Sequence, residues 1–413
     1  MARIQRYAVG LDIGTTKVCC VVGEIADGGA LRVVALGEAP SRGLRKGVVV
    51  NLDATVEAIR SALSKAELMA GVNVELATVG IAGAHIRSFN SRGVVAVSGR
   101  DHAVSAEDVE RVLAAAQAVS IPPDREILHV LPQEFVLDDQ GGIAEPQGML
   151  GSRLEANVHI VTAASATVQN LVTCANRAGI EVREVMIEQL AASEAALSAD
   201  ERELGVALID VGGGTTALAI FERGSVWHTA VLPVGGDHFT NDLAIGLRTP
   251  IPDAERLKKQ HGCTSAQLAA EGENIEVPSV GGRKARLITR EVLAQILQPR
   301  AAEIFSLIHE EVRRAGFDRA LNAGVVLTGG GCLLPGALEV CEQVFDAPAR
   351  LGTARGGASL GDASWGPQHA TAVGLALHGA RSRPQRRRAA LPLPVAGLAR
   401  VGDRVRAWLS GMF

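Results

Sequence analysis

Two short segments of this 413-residue chain carry the residue types that hold a polyphosphate. Asp12-Ile-Gly-Thr-Thr and, 198 residues later, Asp210-Val-Gly-Gly-Gly-Thr-Thr each follow one apolar run and precede another. A strand-turn-strand of this kind aims backbone N–H groups at one point. Glycine there admits a ligand close to the chain, and threonine hydroxyls add donors. Asp12 and Asp210, at the strand ends, place two carboxylates beside the phosphates, where the pair suits a hydrated magnesium ion. A third element, Leu327-Thr-Gly-Gly-Gly331, follows a buried-type strand and would let a purine and its ribose lie on bare backbone. Any one of these is more often only a turn; three in this order, each after a strand, favour a nucleotide site. The chain has no GxxxxGK[ST] and no GxGxxG, which excludes P-loop and Rossmann binding. Its ten histidines show no HExxH or paired ligand spacing.

The elements that must position these residues follow from periodicity. Residues 7–13 and 17–25 read as strands around the first turn, with 31–36 and 47–50 as further strands. Val56, Ile59, Leu63, Ala66 and Met69 recur at helical spacing and stop before Gly71; residues 74–81 form another strand. Between 84 and 163 the pattern changes. Residues 86–89 and 93–97 predict a hairpin, Ser105-x-x-Asp108 a helix start, and Pro122-Pro123 a stop. Strands near 126–131 and 154–162 complete an inserted α+β unit, after which a helix over 166–178 resumes the main pattern. A second half opens at Gly205 with strands over 206–211, 216–221 and 226–231. Residues 240–315 are mostly helical, 325–328 form a buried strand, and helices cover 335–345 and 367–378. Two halves with the same opening hairpin imply a duplicated α/β fold with a cleft between two lobes.

Composition narrows the class. An apolar fraction of 47% with 21% charged residues excludes disorder and coiled coil as the dominant state. Three Trp, one Tyr and eight Phe are too few for a nucleic-acid stacking platform, so no nucleic-acid partner is expected. The six cysteines form no CxxC or zinc spacing. Adjacent Cys19 and Cys20 would face opposite sides of a strand as core residues, as expected in a reducing compartment. The first residues do not resemble a signal peptide, and no apolar run reaches 18 residues, so a soluble cytoplasmic body is expected.

GLDIGTTKV at 10–18, LIDVGGGTTALAIF at 208–221 and VVLTGGGCLLPG at 325–336 resemble the phosphate-1, phosphate-2 and adenosine motifs of the actin/Hsp70/sugar-kinase superfamily. Within it the chain resembles the bacterial cell-division FtsA family over nearly its whole length. The supporting segments include SRGLRKGVVVN at 41–51, GAHIRSFNSRGVVAV at 83–97, PVGGDHFTNDLA at 233–244 and GPQHATAVGLAL at 366–377. EPQGM at 145–149 departs from the Asn-Pro-Ile-Gly-Met-like stretch of that family and puts one local contact in doubt. The resemblance implies an actin-like two-lobed ATPase fold. Its first lobe would comprise 1–83 and 164–203, with an inserted subdomain at 84–163. The second lobe would comprise 204–238 and 306–378, with a subdomain at 239–305.

The resemblance also implies site roles for ATP and Mg2+. Gly14, Thr15, Thr16 and Lys17 would contact phosphates from lobe one, and Gly213, Gly214, Thr215 and Thr216 from lobe two. Asp12 and Asp210 would hold magnesium through water, Glu255 and Lys258 would clamp the adenosine, and Gly329, Gly330 and Gly331 would back the purine. Glu188, in IEQLAASEAAL, matches a segment that positions water in chaperone relatives; its plainer reading is a helix-starting acid favoured by the dipole. At most slow ATP hydrolysis is expected. Arg300 and Glu303 fall on the helix matching the groove for the C-terminal peptide of FtsZ, and both also read as ordinary exposed charges.

The C-terminus is a separate object. Residues 379–413 hold eight arginines and one aspartate, so the tail carries +7 while the chain's net charge is −4, leaving −11 on the body. Leu398, Val401, Val405, Trp408, Leu409, Met412 and Phe413 fall within an arc of about 140° on a helical wheel, opposite Arg400, Arg404 and Arg406. This basic amphipathic helix at 398–413, on an Arg/Pro linker at 379–397, suits an anionic membrane surface; docking on the protein's own body is the alternative. A polymerising division scaffold that tethers FtsZ to the inner membrane and recruits downstream division proteins is thus the leading reading. A pilus-assembly or chaperone-like relative shares the ATP motifs, and a small-molecule kinase would need an acceptor site that is not evident; neither accounts for the tail.

Overall fold

The computed structural model describes residues 7–26, 29–99, 101–268, 273–281, 283–354 and 365–382. Two five-stranded sheets share one topology. In the first, the strand Tyr7–Ile13 runs antiparallel to Lys17–Ile25, which is followed by Leu31–Pro40. On its other side Tyr7–Ile13 lies parallel to Leu76–Ile81, which pairs in parallel with Glu181–Ile187. In the second, Val206–Val211 takes the same central place, with Thr216–Glu222 and Ser225–Leu232 on one side and Val325–Thr328 and Ala349–Leu351 on the other. The repeated hairpin is therefore the start of a repeated sheet.

The helix Glu188–Ala196 packs on both sheets and carries an almost unbroken run of buried residues, as an element between two layers must. Lobe one is closed by the helix Leu52–Ala70, started by the Asn51 side chain and stopped by Gly71 in the left-handed region. Such an N-cap contributes about 1 kcal/mol. Cys19 and Cys20 are fully buried on opposite faces of their strand, in separate apolar clusters. Lobe two packs its outer face against the helices Gly236–Leu247, Ile251–His261, Arg290–Arg314 and Ala337–Phe345.

Three sequence readings change. Residues 86–97 form one strand, Arg87–Ala96, not a hairpin. Gly93 makes no turn; a Cβ there would collide with the backbone of Val112 and Ala116, so the glycine lets the helix Ala106–Gln117 lie close on the sheet. That helix does start with the Ser105/Asp108 capping box. The insert's sheet runs Arg87–Ala96, Arg153–Ala164, Arg125–Leu137, Gln140–Ile143, all antiparallel. Second, a short hairpin, Asn274–Val277 with Arg286–Thr289, interrupts the helical region 240–315. Third, residues 306–378 do not all belong to lobe two. The helix Ala370–Arg381 crosses back and buries Ala372, Val373 and Ala376 against Ala8, Cys19 and Val21 of lobe one, because its apolar residues recur on two faces. Among the described residues no helix is long and apolar enough to cross a membrane. The linker from 383 onward and the tail residues Val401, Val405, Trp408, Leu409, Met412 and Phe413 lie outside the described residues.

Candidate functional site between the lobes

The two hairpin turns correspond at a constant offset of 198. Gly14 N–H donates to Lys17 O at 3.0 Å, and Gly212 N–H donates to Thr215 O at 2.9 Å. Ile13 pairs with Val18 across the first turn and Val211 with Thr216 across the second. Lys17 thus answers to Thr215, and Val18 to Thr216. The Gly-Thr-Thr spelling shared by 14–16 and 214–216 is displaced by two positions from this structural match. Thr216 consequently begins a strand: it is fully buried and its hydroxyl donates to Val234 O at 2.8 Å, so its side chain does not reach the cleft.

The turns face each other. A Cβ on Gly213 would overlap the Thr16 methyl, and one on Gly214 would stand 2.8 Å from Thr15 Oγ1 and 2.9 Å from Lys46 Cα. Only glycine permits this contact between lobes. Thr15 Oγ1 also accepts from Gly47 N–H at 3.1 Å, so the turn at Lys46–Gly47 seals the side of the junction. Helix Gly236–Leu247 fixes the second turn by donating Gly236 and Asp237 N–H to the carbonyls of Gly212 and Gly213, each at 2.8 Å. Gly214 is packed away, whereas Asp12, Gly14, Thr15, Thr16, Lys17, Gly213 and Thr215 line a cleft of about 470 Å³.

Three carboxylates meet on its floor. Asp12 and Asp210 are 8% and 7% exposed, and Glu188 stands at the first position of its helix. Burial, with the neighbouring Asp210 and Glu38 and against the attraction of Lys17, pushes the Asp12 carboxyl up to about 7. Burial and the charges of Asp12 and Asp210 hold Glu188 well above the ordinary range. Asp210 is raised by burial, although Thr371 Oγ1 donates to its Oδ2 at 2.8 Å. Among the described residues no three His, Cys, Asp or Glu side chains stand close enough to bind one ion directly. The donor set fits a cation held at longer range: acids that repel one another in a dry site are relieved by positive charge between them.

Lys17 is fastened at one end of the cleft. Its ammonium donates to Glu38 Oε1 at 2.9 Å and to Gln368 O at 2.7 Å, and the same Glu38 oxygen lies 3.0 Å from His369 Nε2. The His369 bond, then Lys17, outweigh burial and hold Glu38 down to about 2. Two of the three ammonium donors are therefore used by the protein. On the opposite wall Glu255 pairs with Lys258 at 2.6 Å and Lys259 at 3.1 Å and accepts from the Thr240 hydroxyl. Lys258 also donates to Thr240 Oγ1 at 2.8 Å and Gly236 O at 3.1 Å. Gly329 has φ +86°, with no room for a Cβ beside Asp210 and Val211, and Gly331 packs on Val211. Only Gly330 has open space where a side chain would start, and all three glycines line the cleft.

Glu38, Thr240, Lys259, Gln368, His369 and Thr371 line or brace this cleft and were not singled out from sequence. Three of them come from the segment at 366–377, whose partners lie 161 to 351 residues away, and no local pattern marks such a contact. Arg300 and Glu303 lie outside the cleft. Arg300 forks onto Asp242, at 2.6 and 3.0 Å, and pairs with Glu303, tying helix Arg290–Arg314 to helix Gly236–Leu247.

Comparison with known proteins settles the family. The chain is 47% identical to the cell division protein FtsA of Pseudomonas aeruginosa over 423 residues, covering 100% of both. The chain belongs to the FtsA cell division protein family. The FtsA of Neisseria meningitidis is 46% identical over 92% of this chain and 91% of its own length, and that of Escherichia coli K12 is 38% identical over the same shares. The family description Cell division protein FtsA matches residues 207–374, and that of the SHS2 domain inserted in FtsA matches 83–162. Among solved structures, a chain of the PilM–PilN type IV pilus biogenesis complex has a TM-score of 0.63 at 16% identity, covering 90% of this chain and 98% of that one. MreB5 of Spiroplasma citri bound to ADP has a TM-score of 0.53 at 16% identity, covering 90% and 95%. These likenesses establish the actin-like ATPase fold. Like its FtsA relatives, the protein is a cell division protein with an actin-like fold.

Proposed function

We propose that this protein binds ATP with Mg2+ between its lobes, polymerises, and tethers the FtsZ ring to the cytoplasmic face of the inner membrane while recruiting downstream division proteins. The observation that carries the reading is the pair of glycine turns in contact across the cleft, with three raised carboxylates beneath them. Gly14, Thr15, Thr16, Lys17, Gly213 and Thr215 would hold the phosphates, with Gly214 needed for the approach of the turns. Asp12 and Asp210 would hold the metal through water. A magnesium ion held there would supply positive charge against the phosphates, and Glu188 would orient a water for slow hydrolysis. Glu255 and Lys258 face the adenosine, and Gly330 offers the bare backbone on which the purine rests.

The membrane role rests on the sequence of 398–413. Basic residues near an anionic leaflet contribute about 1 kcal/mol each, so one helix attaches weakly and an assembly attaches firmly. Full-length protein is expected to co-sediment with anionic liposomes and a tagged copy to form a mid-cell band; deletion of 398–413 abolishes both. Retained membrane binding by the truncated protein contradicts the anchor.

The FtsZ peptide would meet the Arg290–Arg314 helix. Because the Arg300 guanidinium is already shared by Asp242 and Glu303, any carboxylate of the peptide would have to compete for it. Calorimetric titration of the FtsZ C-terminal peptide is expected to lose at least tenfold in affinity for Arg300→Glu. Equal affinity removes Arg300 from the site.

A further inference from the structure

The inserted sheet belongs to lobe one by chain connection, yet it is bonded to lobe two. Its strands present Ser88, Gln133 and His159 to Ser225–Leu232, the edge strand of the second sheet. Ser88 Oγ donates to Thr229 O at 2.7 Å, and Gln133 Nε2 donates to Val226 O and Trp227 O at 3.2 and 3.1 Å. A register shift lies in this stretch: Phe221 pairs with Val226 and Ile220 with His228, leaving Trp227 as the extra residue. A bulge frees a carbonyl from the ladder, and Gln133 takes it up. His159, 1% exposed, is saturated by Asn90 of the insert and Thr229 of lobe two, at 2.7 and 2.9 Å.

Both ends of this contact lead to the cleft. The edge strand ends at Leu232, which pairs with Thr216, the residue directly after the second glycine turn. Two residues beyond Val234, which accepts the Thr216 hydroxyl, Gly236 N–H holds the turn itself. On the lobe-one side, His129 Nε2 accepts Ile187 N–H at 3.2 Å, and Ile187 immediately precedes Glu188. The insert thus grips the backbone beside Glu188 with one residue and the strand behind the second turn with three others.

We infer that the insert is a strut between the lobes, through which nucleotide in the cleft is sensed by the insert's own sheet. The inference rests on the nucleotide reading given above. A sheet hydrogen-bonded to both lobes cannot keep all these bonds if the lobes rotate, so its position follows their separation. Ser88, Gln133 and His159 are positioning residues here, since none lines the cleft.

Hydrogen exchange on the full chain tests this, with and without ATP and Mg2+. In the wild type, amides of 87–96 and 153–164 are expected to change exchange rate at least threefold on ATP binding. The double variant Ser88→Ala/Gln133→Met still binds ATP but loses that response. Ser91→Ala, which removes a bond to Ala116 O inside the insert, keeps it. Should the double variant fold poorly, Thr229→Val removes only the hydroxyl facing His159 and is expected to halve the response or more. An insert that stays silent while ATP binds overturns the strut alone, as does an unchanged response in both lock variants. Absence of ATP binding overturns the cleft reading and the strut with it.

Discussion

Glu188 shows how much of a residue's chemistry is set by its surroundings. As a helix-starting acid it would be ionised and unremarked; between Asp12 and Asp210 in a buried floor its carboxyl is held well above the ordinary range. A group tuned toward neutrality can accept and return a proton when a cation and phosphates change its field. Glu188→Ala is therefore expected to slow single-turnover ATP hydrolysis at least tenfold while ATP affinity stays within about threefold, a loss of about 1.4 kcal/mol or more in the transition state alone. An unchanged rate returns Glu188 to a structural role. Asp12 and Asp210 were legible in the sequence because each ends an apolar run beside a glycine turn, whereas Glu188 was reached only through the family resemblance. Thr216 misled because two identical tripeptides lie out of structural register, and spelling cannot show which residue begins the strand. Glu38 and His369 were invisible, since their bond joins positions 331 residues apart.

At the scale of elements, periodicity found the repeated hairpin, the helix stopping at Gly71 and the capped helix of the insert. It failed where glycine served packing instead of turning, as at Gly93, and where an amphipathic helix changed lobes, as at Ala370–Arg381. Neither choice is written locally, because each depends on what lies opposite. The insert's contact with lobe two also carries a pH signature. Burial first, then His228 and His129, push His159 from its ordinary 6.5 down to about 3. A depressed histidine contributes stability that is fully present above about pH 6.5 and erodes as the pH falls toward 3, because only the unfolded chain takes the proton. Urea unfolding at pH 7 and pH 5 is expected to show a stability loss from this source of up to about 2 kcal/mol, smaller in His159→Gln. His85, lowered to about 4, titrates the same way and leaves part of the slope. An identical loss in the variant contradicts the buried neutral state.

For the whole molecule, the charge split and the duplicated fold describe one device. In the proposed reading an acidic body near −11 would hold an anionic ligand through backbone amides, one fastened lysine and a metal, not through bulk positive charge. The +7 tail is kept apart from it in sequence and suits anionic lipid. Closure of the lobes on nucleotide would set the surfaces that assemble, and assembly would multiply a weak membrane contact. All of this depends on the cleft holding ATP where the two glycine turns meet. Isothermal titration of ATP in Mg2+, on wild type and Gly213→Ala, addresses that point directly. The wild type is expected to bind with 1:1 stoichiometry and to weaken sharply in EDTA. Gly213→Ala, whose methyl must push Thr16 and its turn away, is expected to lose at least tenfold in affinity while remaining folded. No binding by the wild type, or equal binding by a folded Gly213→Ala, would contradict a phosphate site built from the two facing turns.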